Sequence, residues 1–85
     1  MNIIDTLRIK VHSCKVAYND TNANFLRNYL ERVVFPRMAS YAVFLDQINS
    51  LPFEHSLRRD KVAIEIWEDF RQLTELIDQA ARYLG

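Results

Sequence analysis

Few side chains in this 85-residue chain are of types that do chemistry, and their spacing decides what each can do. His12 and His55 are the only histidines and Cys14 the only cysteine. His12 lies one helical turn from Arg8 and three residues from Lys15, a cationic setting that disfavours a metal ion. His55 directly follows Glu54, and adjacent residues do not share a helix face. The inward Glu-x-x-His pairs of a carboxylate-bridged di-iron bundle are missing. Cys14 falls on an apolar stripe, where a thiol acts as a small hydrophobe rather than a nucleophile. With one cysteine, neither an internal disulfide nor a cysteine-rich zinc site is possible. Glu65, Glu68 and Glu75, with Gln72 and Gln79, recur at helical spacing and read as a solvated face. The expectation is therefore no catalytic residue, no metal, no cofactor and no small-molecule substrate.

Two further groups bear on partners. Arg58-Arg59-Asp60-Lys61 is the densest basic cluster, and Arg27, Arg32 and Arg37 recur upstream. Arginines at such spacing can track a phosphate backbone, which makes a nucleic-acid-binding regulator the second-ranked reading. Interspersed Glu31, Asp46 and Glu54, and the lack of a helix-turn-helix signature, favour salt bridges instead. The net charge is zero, but residues 1–61 carry +3 and residues 62–85 carry −3. The two segments are expected to lie against each other, within the chain or across a dimer.

The elements that position these residues follow from the breakers. Gly85 is the only glycine, and Pro36 and Pro52 the only prolines. Long helices tolerate that scarcity; a β-fold does not. Ile4, Leu7, Val11, Cys14 and Tyr18 place a first helix over about 2–18. Asn19-Asp20-Thr21-Asn22 reads as a turn able to cap a second helix, over about 23–49. Its seam is Leu30, Val34, Met38, Tyr41, Leu45 and Ile48. Pro36 interrupts this seam without shifting its phase and predicts a kinked helix, with two helices meeting at Phe35-Pro36 as the alternative. After a connection holding Pro52, a third helix over about 57–84 has the seam Ala63, Ile66, Phe70, Leu73, Ile77, Ala80 and Leu84. The fold class is thus all-α: one domain, an antiparallel three-helix bundle of one shorter N-terminal and two long helices. The short helix cannot cover both long ones along their whole length. No apolar run is long enough to span a membrane, no signal peptide is visible, and a cytoplasmic location is expected.

Apolar residues exceed what the seams use. Phe25, Leu26, Tyr29, Val33, Val43 and Phe44 lie off or beside the second seam, and Val62, Ile64, Trp67, Leu76 and Tyr83 off or beside the third. Either they widen the core or they form a second face covered by another chain, and the second reading is preferred. Tyr41, Phe44, Ile64, Trp67 and Phe70 are the expected partner or dimer interface. The expected function is a small non-enzymatic protein–protein interaction module of the regulator, inhibitor, immunity or adaptor kind, working as a homodimer or on another protein.

Leu26-Arg27, Glu31-Arg32, Arg37-Met38-Ala39-Ser40 and Leu51-Pro52-Phe53-Glu54 resemble segments of the small helical theta subunit of bacterial DNA polymerase III. That resemblance spans under half the chain, requires gaps, and leaves a third helix too long for the pattern, so no family is assigned from it. It implies a non-enzymatic, protein-binding subunit.

Overall fold

A computed structural model describes residues 2–50 and 56–85, with Asn49 and residues 56–60 described in backbone only. Of these residues 92% are helical, and none forms a strand. Helix α1 spans Ile3–Val16, α2 Asp20–Tyr29, α3 Phe35–Asn49 and α4 Ser56–Leu84. A π-helical segment, Leu30–Val34, joins α2 to α3, so the helical path runs unbroken over 20–49.

Local chemistry explains the boundaries. The Asn2 side chain accepts a 2.8 Å hydrogen bond from the Asp5 amide and starts α1. Asn19 does the same for the Asn22 amide, also at 2.8 Å, and α2 begins at Asp20. The expected turn at 19–22 is thus a cap followed directly by helix, three residues earlier than its apolar pattern suggested. Asn22 also donates from Nδ2 to the carbonyls of Ala17, at 2.7 Å, and Ser13, at 3.3 Å, tying the end of α1 to the start of α2. Because α1 ends at Val16, Tyr18 leaves the stripe and is exposed.

Pro36 has no amide hydrogen, and in a regular helix its ring would press on the Arg32 carbonyl. The chain widens immediately before it: the Phe35 amide reaches back five residues to the Leu30 carbonyl. Pro36 then sits in the first turn of α3, where a missing donor costs little. The π turn keeps Leu30 and Val34 on the buried side, which is how the seam passes the proline in phase.

Packing divides the molecule lengthwise. Helix α1 lies against α2, the π segment and α4. Together they bury Ile4, Leu7, Val11, Cys14, Leu26, Leu30, Val34, Leu73, Leu76 and Ala80 in one cluster. Among the described residues α3 packs on α4 and on the π segment that leads into it, and its buried residues Leu45 and Ile48 lie outside that cluster. At 1.5 Å per residue α1 is about 21 Å long and α4 about 43 Å, so α1 reaches roughly half of α4. The result is a rod of 52 × 21 × 17 Å with a 15.5 Å radius of gyration, against about 12 Å for a compact domain of this length. One end is three helices thick, and the other is a two-helix arm.

Among the described residues the core is wholly apolar, with no buried polar or charged residue. Two residues of the apparent surplus belong to it: Leu26 is 0% exposed and Leu76 is buried. Tyr29 and Tyr83 pack against the same cluster.

Candidate interaction surface

The five expected interface residues are divided between two places. Ile64, Trp67 and Phe70 line a shallow groove on α4, together with Glu68, Arg71, Thr74 and Glu75. Phe44 belongs to a separate groove on α3, beside Val43, Ala39, Ser40 and Gln47. Tyr41 lines neither; it is half-buried and packs against the core. The structure therefore offers two apolar patches on the arm, each built from one helix.

The α4 patch is the more developed. Ile64 is 69% exposed and Trp67 57% exposed, whereas Phe70 is half-buried. The Trp67 and Phe70 rings meet edge to face, with centroids 5.6 Å apart and planes at 76°. Phe70 is thus anchored in the seam and fixes the indole that stands beside it. Arg71, next after Phe70, bonds both Glu68, three residues before it, and Glu75, four residues after it, the latter at 2.8 Å. Hydrogen bonding from Arg71, followed by its charge, holds the Glu68 carboxyl below the ordinary range; the Glu68 hydrogen bond and charge raise Arg71 in turn. All three side chains are more than half exposed, so the cluster shapes and charges the surface more than it stabilises the fold.

A third patch lies at the three-helix end. Lys10 on α1 holds its ammonium 5.7 Å from the Phe25 ring centroid and 5.4 Å from that of Tyr29. Asn28, Arg32 and Val33 complete the groove. Arg27, Arg32 and Arg37 are all exposed, and Arg27 donates to Asn24 at 3.1 Å. The expected contributions of Arg58 and Arg59, like His55, fall outside the described side chains. The Lys10 patch was missed from sequence because its cation and rings come from different helices; Phe25 and Tyr29, four residues apart, were its only visible trace.

Cys14 is buried at the base of α1, and His12 is exposed. Among the described residues, no three His, Cys, Asp or Glu side chains converge, and no helix is long and apolar enough to cross a membrane. No family model, curated protein or solved structure matches this chain.

Proposed function

We propose that this chain is a small non-enzymatic helical module that works by binding protein, as a regulator, inhibitor, immunity or adaptor component in the cytoplasm. In this reading the fold is an antiparallel three-helix bundle whose arm presents its apolar patches to a second copy or to a larger target. One observation carries it: Trp67 and Ile64 stand more than half exposed on α4, ahead of Leu73, the first α4 residue in the buried cluster shared with α1. A tryptophan held in place by a neighbouring ring, and bordered by charged side chains, is the kind of residue that dominates protein interfaces. The test is affinity capture from the native host with the wild-type chain and with Ile64→Ala/Trp67→Ala. A defined protein retained by the first and lost by the second supports the reading; retention indifferent to both residues removes it.

A nucleic-acid-binding regulator is the second reading. It is favoured by the pairing of Lys10 and Arg32 with the Phe25 and Tyr29 rings in one groove, with Arg27 and Arg37 also exposed on the same helical path. Oligonucleotide binding that falls linearly in log–log form with salt, and weakens in Lys10→Ala and Arg32→Ala, would promote it over the first.

A further inference from the structure

The charges along the exposed stripe of α4 are arranged so that the stripe fits itself. Lys61, Glu65, Glu68, Arg71 and Glu75 recur at spacings of four, three, three and four, and all are exposed. Helical geometry puts residues at such spacings on one side of the helix. Reflected about Glu68, the signs are opposite: Lys61 corresponds to Glu75, and Glu65 to Arg71. We propose that the partner of the α4 patch is a second copy of this chain, docked α4 to α4, antiparallel, about a two-fold axis at Glu68; this rests on the interaction-module reading above.

In that register each copy sets Lys61 against Glu75 and Glu65 against Arg71 of the other, four opposite-charge pairs by symmetry. Trp67, next to Glu68 in sequence and so about 100° round the helix from it, lies on the flank of the contact, and the two Ile64 side chains, which share the arc of the stripe, supply its apolar part. Each Glu68 faces its own copy at the axis, and the Arg71 guanidinium bonded to it within the chain offsets that repulsion. Parallel docking would set Lys61 on Lys61 and Glu65 on Glu65, a like-charge contact at every level. The contact is one helix wide and covers about 15 residues, roughly 20 Å. That is smaller than the ~800 Å² per partner of a standard interface, so the dimer is expected at high micromolar concentration rather than nanomolar.

The axis makes the proposal testable by cross-linking. Under mild oxidation at ~0.1–1 mM, a range suited to weak association, Glu68→Cys is expected to form a disulfide-linked dimer. Ser40→Cys, exposed on α3, is expected to remain monomeric, as is the wild type, whose Cys14 is buried. In light scattering, Lys61→Glu should weaken self-association by at least about tenfold, and Lys61→Glu/Glu75→Lys should restore it. A wild-type monomer throughout this range overturns the inference, and so does cross-linking of Ser40→Cys as readily as Glu68→Cys. A dimer unmoved by Lys61→Glu overturns it too. Capture of a different protein through Trp67 by a strictly monomeric chain would sink the second copy yet keep the interaction module; loss of both would sink both.

Discussion

The two ends of this rod are made from the same helices and differ in what covers them. Where α1 is present, side chains on two flanks of α2 and α4 are buried, and Leu26 and Leu73 reach 0% exposure. Where α1 has ended, α3 and α4 are each other's neighbours among the described residues; Leu45 and Ile48 are buried, but Phe44, on the flank of α3, is 43% exposed. A helix with one neighbour can hide one stripe, and with two neighbours it hides a wider arc. Apolar residues beside a seam are therefore surface on the arm, as Phe44 is, whereas at the three-helix end some are core, as Leu26 and Leu76 are, and others, as Phe25 at 58% exposure, are not.

The largest expected effect breaks that comparison at its centre. Leu26→Ala or Leu73→Ala removes a side chain enclosed by three helices and should cost about 3 kcal/mol, within the 2–5 kcal/mol range for core leucines. For a domain of this size that is a large share of total stability. Trp67→Ala removes a bigger side chain from the arm yet should change the stability of dilute protein by less than about 0.5 kcal/mol. Urea denaturation of the three variants reads both numbers. A Trp67→Ala loss matching that of Leu26→Ala would show that the arm is as well covered as the three-helix end.

Native-state hydrogen exchange sharpens the same contrast without mutation. Amides of α3 from residue 40 onward and of α4 over 61–68 should exchange through local openings at least ~1 kcal/mol below the global limit. Amides in the middle of α1, and in α4 over 73–80, should exchange only near that limit. Uniform protection along α4 would mean that arm and end unfold as one unit.

How far this division was legible in the sequence depends on the residue. The all-helical class was readable from the scarcity of glycine and proline, and the α1 stripe from Ile4 to Cys14 by spacing alone. The passage of the seam through Pro36 was readable in phase, but the π turn was not, since its cause is a steric contact with a carbonyl. Leu26 and Leu76 looked surplus because one sequence carries one periodicity, and a second packing partner widens the buried arc without changing it. Extending the second seam backwards from Leu30 through Leu26 and Ala23, at successive spacings of four and three, would have found the first, and Leu76 stands three residues after Leu73 and four before Ala80 on the third. The separation of Phe44 from Trp67 was not legible, because two helices each have their own outward flank and only packing decides whether those flanks meet.

A smaller effect concerns the joint that brings α1 onto α2. Asn22 reaches two carbonyls at the end of α1, and Asn19 caps α2. Asn19→Ala and Asn22→Ala should each cost about 1 kcal/mol, the usual worth of a cap or a side-chain-to-backbone bond. Exchange should quicken in α1 and the first turns of α2, leaving the arm unchanged. Equal acceleration in α3 would show that the two ends communicate more strongly than their packing implies.

The smallest effect is electrostatic and lies on the arm. Glu68 has its carboxyl pKa lowered in the folded chain, first by the hydrogen bond from Arg71 and then by its charge. A lowered folded pKa stabilises the ionised form, so its contribution is present above the ordinary carboxylate range. It is lost as pH falls through the folded value. Arg71 is shifted upward and stays cationic across the accessible range, so the pH dependence belongs to the carboxylate. Because both groups are well exposed, added salt should diminish the shift, and the stability change should be slight. Carboxyl-detected NMR titration of dilute protein should find Glu68 below the ordinary glutamate range, and Arg71→Ala should return it there. Raising the protein concentration then joins this measurement to the comparison. If α4 meets a second copy, Arg71 also faces Glu65 across the interface, and the line shape at Glu68 should change with concentration in the wild type but not in Lys61→Glu. A Glu68 titration identical at every concentration would leave Arg71 serving its own chain alone and the arm's exposed face free for a different protein.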